Sequence, residues 1–122
     1  MNAKILVVED NPTNLKLVSD ALKFEGYDIL KAGDAEEAEA ILMQTRPELI
    51  IMDIALPGMD GLTFSLKLKA DPRTRHIPII AVTAYSMRWD EQKVLEAGCD
   101  GYVTKPIDTR ALPGLVAEVL AR

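Results

Sequence analysis

A chain of 122 residues with 48 % apolar and 27 % charged side chains has room for one self-supporting core. Its net charge of −5, with a pI near 4.8, argues against a surface built for non-specific nucleic-acid binding and admits a cation site. The single cysteine, Cys99, excludes an intrachain disulfide and gives no sign of a zinc cluster, and no apolar run approaches the length of a transmembrane helix.

The N-terminal "MNAKILVVED" turns acidic at Glu9-Asp10, unlike a secretory signal, so a reducing, cytoplasmic setting is expected. Its apolar part, "KILVV" from Lys4, reads as a first strand. Asn11-Pro12 then supplies a cap residue and a proline at the first helical position, and the helix it opens is expected to end near Gly26. A second strand, "DILKA" from Asp28, precedes a helix opened at Asp34, with Glu37 completing a capping box and Pro47 bounding its far end. The third strand, "ELIIM" from Glu48, and the fourth, "IPIIAV" from Ile77, flank a helix that follows Gly61 and stops before Pro72. A fourth helix runs to Gly98, and "GYVT" from Gly101 is the fifth strand. The last helix fills the tail after Pro106. Pro113 cannot bond back to the Thr109 carbonyl, so the regular helix should begin late, with Pro113 in its first turn.

Runs one, three and four are continuously apolar rather than alternating, as strands covered on both faces are. Five β-α units with right-handed crossovers give a doubly wound α/β sandwich, a single domain over residues 1–122. Ligands of such folds collect at the carboxyl ends of the strands. Here those ends are Glu9-Asp10, Asp53, Thr83 and Thr104-Lys105-Pro106, whereas strand two ends in "KAGD" with no comparable group, which suits an edge position.

Three carboxylates on neighbouring strands repel unless some are protonated or a cation joins them. All-oxygen donors select a hard ion, with Mg²⁺ the usual choice. Lys105 adds a fixed positive charge and Thr83 a hydroxyl. A nucleophilic Asp53 ringed by cations and a hydroxyl makes a cradle for a phosphoryl group. Each element alone is weak; the joint pattern across four strand ends is specific.

The motifs "VVEDN", "MDIALPGMDG", "AVTA" and "YVTKP" resemble the four signatures of the receiver domain of bacterial response regulators, and the resemblance covers essentially the whole chain. It implies a flavodoxin-like five-stranded parallel sheet in the order 2-1-3-4-5. It makes Asp53 the phosphoacceptor, with Thr83 and Lys105 contacting the phosphoryl group. It gives Mg²⁺ to Asp10 and Asp53 directly, to Glu9 mainly through water, and to the carbonyl of Ala55. It also implies a cis Lys105–Pro106 bond and a switch built from Thr83 and Tyr102 that alters the surface of helix four, strand five and helix five. The phosphoryl donor would be a histidine kinase or a histidine phosphotransfer protein, the output a downstream signalling protein, with neither nucleic acid nor membrane as partner. Phosphorylation-dependent homodimerisation stays open.

The wording "VEDNPTNLKL", "AVTAYSM" and "EAGCDGYVTKPID" is similar both to single-domain regulators of the DivK type and to receivers of hybrid histidine kinases. A start at Met1 with no effector segment is expected of the former, and the latter stays an alternative. An enzyme is not expected beyond self-phosphorylation and slow self-dephosphorylation. A Mg²⁺-dependent phosphoaspartate phosphatase often carries a second aspartate two residues after the nucleophile, where this chain has Ala55. Tyr85, two residues after Thr83, is expected to screen the site from water. A flavin or nucleotide carrier on the same fold lacks support, because no G-x-G-x-x-G or Walker A loop is present.

Helix one carries two stripes. Leu15, Val18 and Leu22 should face the core, while Leu17, Ala21 and Phe24, continuing from Thr13, form an opposite apolar stripe. With Pro106 this stripe is the expected docking surface for a partner's histidine-bearing helix. On helix four, Met87, Glu91, Val94 and Leu95 share one face and Trp89 points away, either partly covered or as a further partner contact. Tyr102 could equally be an ordinary half-buried strand aromatic. His76, in "PRTRHIP", is expected in an exposed loop at the far end from the site, and Cys99 as a small buried hydrophobe.

Overall fold

In the computed structural model, which describes residues 2–84 and 88–122 apart from the side chains of 88–91, five strands and five helices alternate. They are β1 (Lys4–Val8), α1 (Pro12–Phe24), β2 (Asp28–Ala32), α2 (Ala35–Gln44), β3 (Leu49–Asp53), α3 (Gly61–Ala70), β4 (Ile79–Thr83), α4 (Arg88–Glu96), β5 (Gly101–Thr104) and α5 (Leu112–Leu120). All strand pairs are parallel and the order is β2-β1-β3-β4-β5, as the resemblance implied. The order reverses between β1 and β3, which sets their carboxyl ends side by side at the switch point.

The core divides by sheet face, as the twofold alternation of strand side chains requires. Leu6, Ile50, Met52, Ile79 and Ala81 pack under α2, α3 and α4. Ile5, Val7, Leu49, Ile51, Ile80 and Val82 pack under α1 and α5. β3 and β4 are buried along their whole length, which is why their sequences are apolar without alternation.

Three of the expected caps are present. The Asn11 side chain accepts from the N–H groups of Thr13 and Asn14, and Gly26 follows the helix at φ +96°. Asp34 accepts from the Glu37 N–H at 2.8 Å. α5 begins at Leu112 with Pro113 in its first turn.

Asp53 and Thr83 end β3 and β4, as expected, while two other details differ from the sequence reading. Asp53 lies beside Val82 in the ladder and Thr83 beside Thr104. β4 begins only at Ile79, because Ile77 donates back to Thr74 in a turn and Pro78 has no N–H for the ladder. On α4, Val94 is buried but Leu95 is 61 % exposed, so Leu95 is not a core residue. The buried partner of Val94 is Ala97, one turn on, where a small side chain meets the sheet. Met87 and the side chains of Trp89 and Glu91 lie outside the described residues, as does Tyr85. No helix among the described residues is long and apolar enough to cross a membrane.

Candidate functional site

Strand termination places the acidic groups. β1 runs its apolar residues to Val8 and then delivers Glu9, whose N–H donates to the Ala32 carbonyl at the end of β2. That bond anchors the Glu9 backbone and leaves its side chain, 3 % exposed, directed to the β3 side. Asp10 follows and is exposed. β3 delivers Asp53, 1 % exposed. One carboxylate oxygen from each of Glu9, Asp10 and Asp53 can be chosen so that all three lie within 4.8 Å of one another.

Lys105 arrives from the other side of the sheet's switch point. Its backbone N–H donates to the Thr83 carbonyl at 2.7 Å, which ties the end of β5 to the end of β4. The Lys105–Pro106 peptide is cis. The Lys105 Nζ then reaches Asp53 Oδ2 at 2.9 Å and Glu9 Oε1 at 3.7 Å. The second oxygen of Asp53, Oδ1, accepts from the Ala55 N–H at 2.9 Å. Glu9 Oε2 accepts from the Asn11 N–H at 3.2 Å.

These contacts divide the charge unequally. Burial, reinforced by hydrogen bonding with Asp53, pushes the Glu9 carboxyl up to about 7 against the opposing pull of the Asn11 N–H and Lys105. Burial also pushes Asp53 up, but hydrogen bonds from Glu9, Lys105 and the Ala55 N–H outweigh it and hold Asp53 below the ordinary aspartate value. Of the two carboxyls, Glu9 is the one whose hold on a proton is strengthened and Asp53 the one whose hold is weakened. Burial works against the Lys105 ammonium, yet the charges and hydrogen bonds of Asp53, Glu9 and Asp10 raise it above the ordinary lysine value.

The arrangement gathers four of the expected site residues, Glu9, Asp10, Asp53 and Lys105, around one point. Thr83 is buried at the adjoining strand end. Ala55 is exposed two residues beyond Asp53, with its N–H engaged by Oδ1. Tyr102 is half-buried on β5, beside Ala81, and packs on the core under α2 to α4. On α1, Leu17 is 51 % and Phe24 89 % exposed, Thr13 is exposed and Ala21 half-buried, so the outer stripe is solvent-facing. Pro106 is exposed.

Gly61 is a site residue that sequence reasoning treated only as a helix boundary. A Cβ there would lie 2.2 Å from the Asp53 carbonyl oxygen and 2.6 Å from the Ile54 Cα. Its N–H donates to the Ile54 carbonyl at 3.0 Å, closing the loop from β3 back on itself. The Asp-Gly pair at 60–61 signals a turn, but nothing in the sequence signals which backbone crosses it.

The donor set fits a hard divalent cation: three carboxylates that converge with no imidazole or thiolate among them. Compared with known proteins, residues 5–117 match the response regulator receiver domain family. The chain belongs to that family. Its receiver domain is 42 % identical over 107 residues to the polar-differentiation response regulator DivK of Brucella anthropi, covering 88 % of this chain and 87 % of that one. Among solved structures, the signal receiver domain of a signal transduction histidine kinase from Syntrophus aciditrophicus is 37 % identical at a TM-score of 0.90, covering 98 % of this chain and 90 % of that one. The receiver domain of a sensor histidine kinase from Pseudomonas aeruginosa, solved with a magnesium ion coordinated in its active site cleft, is 30 % identical at a TM-score of 0.90, with both chains fully covered. The protein is thus a DivK-like receiver domain of two-component signalling, with an acidic cluster suited to Mg²⁺.

Proposed function

We propose that residues 1–122 act as one phospho-accepting receiver in which Asp53 takes a phosphoryl group from a phosphohistidine of a histidine kinase or phosphotransfer protein. The observation that carries this reading is the buried Asp53 carboxylate, gripped by Lys105 at 2.9 Å and flanked by Glu9 and Asp10. An ionised carboxylate needs no general base to become a nucleophile. One of its oxygens attacks phosphorus and a P–O bond forms. The P–N bond to the donor imidazole breaks, and its electron pair stays on the imidazole nitrogen.

Mg²⁺ would be held by Asp10 and Asp53 directly, by Glu9 mainly through water and by the Ala55 carbonyl, and when bound it supplies positive charge against the oxygens of the phosphoryl group. Lys105 adds a second positive charge from the opposite side, and the Thr83 hydroxyl donates to a phosphoryl oxygen. Recruiting Thr83 draws Tyr102 inward and favours the state in which the surface of α4, β5 and α5 is altered. The phosphoryl group shifts the balance only by contacting that state better than the resting one. The outer stripe of α1, with Pro106, receives the donor's histidine-bearing helix, and the signal leaves by protein–protein contact.

Ala55 offers no carboxylate to activate water, so the phosphoaspartate should hydrolyse slowly, which separates this reading from that of a phosphatase. A receiver belonging to a histidine kinase is the second reading, favoured by the likeness to two such receivers; the chemistry at Asp53 is the same in both.

Intact-mass spectrometry after incubation with acetyl phosphate tests the proposal. One added phosphoryl mass that requires both Mg²⁺ and Asp53, and is lost in Asp53→Asn, supports it. A phosphoryl gain that persists in Asp53→Asn, or no gain in a folded protein that binds Mg²⁺, overturns it.

A further inference from the structure

The loop from β3 to α3, residues 54–60, is tied at its base and exposed along most of its length. The Ile54 N–H donates to the Val82 carbonyl at 3.1 Å, and the Ile54 carbonyl accepts from the Gly61 N–H at 3.0 Å. Beyond Ile54, the residues Ala55, Pro57, Gly58, Met59 and Asp60 all face solvent. Leu56 is the exception. It is 7 % exposed and joins the core cluster that holds Met52, Phe64, Leu68 and Ala81.

The place of this one buried side chain matters because of the peptide it bounds. A carbonyl lies in the plane that joins its own residue to the next, so the Ala55 carbonyl turns only as the Ala55–Leu56 plane turns. Both sides of that plane are held. On one side the Ala55 N–H donates to Asp53 Oδ1 at 2.9 Å. On the other the Leu56 side chain is fixed in the core. Pro57 further restricts Leu56 to extended backbone. The chain then reverses at Gly58, at φ +73°, and returns to the Asp60 cap of α3. A loop that had only to join two elements could stay polar throughout.

We propose that Leu56 is a positioning residue for the cation site, pinning the Ala55–Leu56 peptide so that the site discriminates for Mg²⁺. The inference rests on the reading of the Ala55 carbonyl as a metal ligand. Mg²⁺ demands a near-ideal octahedron with short bonds, whereas Ca²⁺ accepts longer bonds and irregular shells. A carbonyl free to swing therefore costs Mg²⁺ more than Ca²⁺. Leu56 meets neither the ion nor the phosphoryl group. It acts through the backbone of Ala55, as the partners behind metal ligands do. Truncating it leaves a space in the cluster that the exposed loop can relax into, and that relaxation turns the plane. The same space opened under α3 at Leu68, 5 % exposed and near the helix's far end, has no such plane to turn.

Leu56→Ala, set beside Leu68→Ala as an equal truncation in the same cluster, tests this. In metal-free protein the Ala55 amide should exchange with solvent about tenfold faster in Leu56→Ala than in wild type, and no faster in Leu68→Ala. Calorimetric titration should show Mg²⁺ affinity falling about tenfold in Leu56→Ala, Ca²⁺ affinity falling less, and neither changing in Leu68→Ala. Leu56→Met, which keeps the volume, should restore both readouts. Leu56→Val serves where the alanine variant does not fold, and should move both readouts in the same direction. Unchanged Ala55 exchange, an unchanged Mg²⁺ affinity, an equal loss for the two cations, or an equal loss in Leu68→Ala overturns the proposal. Wild type that binds Mg²⁺ through Asp10 and is indifferent to Leu56 removes this inference and leaves the metal reading standing. Wild type that binds no Mg²⁺ removes both.

Discussion

Gly61 shows how much of a catalytic geometry can rest on the absence of one carbon. A methyl group 2.2 Å from the Asp53 carbonyl cannot be accommodated by a rotamer change, because both neighbours are backbone. Either the start of α3 or the end of β3 must move. Gly61→Ala should therefore cost about 2 kcal/mol or more in urea unfolding. It should also slow phosphorylation by acetyl phosphate beyond a control variant of equal stability with its lesion in α2. Equal rates in the two would confine Gly61 to a structural role. Glu9 carries a second residue-scale consequence. Burial pushes its folded carboxyl up to about 7, above its ordinary value of 4.5, so the folded state favours an extra proton between those values. Stability without metal should fall as pH rises from about 4.5 to 7, by up to about 3 kcal/mol. Unfolding curves recorded with chelator across that range check the sign, and Glu9→Gln should flatten the slope. Asp53 shifts the other way, so its contribution is lost only as pH falls below the ordinary aspartate range.

At the scale of elements, legibility follows burial. β1, β3 and β4 were readable because two covered faces leave no room for polar residues, and α1 because proline, a cap and two stripes coincide. Asn11→Ala should remove two bonds to the first turn and lower stability by about 1 kcal/mol, measured by thermal unfolding. α4 was the harder case. Helical spacing alone put Val94 and Leu95 on one face, but the two are 100° apart and the sheet takes only Val94 and Ala97. The ends of β3 and β4 are legible because an apolar run stops at one polar residue in each, and Asp53 and Thr83 keep their place in the ladder while serving a cleft. The outer stripe of α1 carries its own test. Leu17→Asp replaces a side chain already 51 % exposed, so folding should be unchanged. Transfer from a phosphorylated histidine protein should drop at least tenfold while labelling by acetyl phosphate stays the same. Equal loss with both donors would refute a docking role.

Over the whole molecule, strand-end chemistry was legible because parallel topology sends every strand's carboxyl end to one rim, so four short motifs could be read as one site. The burial of Leu56 was not legible. A lone leucine between exposed loop residues turns inward only because a core cluster lies beneath it, and no motif marks that meeting. The site rim holds a carboxylate oxygen of each of Glu9, Asp10 and Asp53 within 4.8 Å of one another against one lysine, an arrangement that raises the Glu9 carboxyl and leaves Asp10 facing solvent. A ligand that binds only the folded chain stabilises it by RT ln(1 + [L]/Kd), which is about 1.4 kcal/mol at tenfold excess over Kd. Mg²⁺ should therefore raise the melting temperature, and chelator should reverse the gain. The gain should be larger at pH 8 than at pH 6, because a cation favours the ionised form of Glu9, whose carboxyl burial pushes up. Asp10→Asn separates this linkage from general salt effects. Asp10 is exposed and unpaired among the described salt bridges, so its loss should leave the metal-free melting temperature nearly unchanged. The Mg²⁺-dependent rise should disappear with it, while an equal ionic strength of NaCl should shift wild type and variant alike. A Mg²⁺ response retained in Asp10→Asn would show that the ion stabilises the fold from somewhere other than this rim.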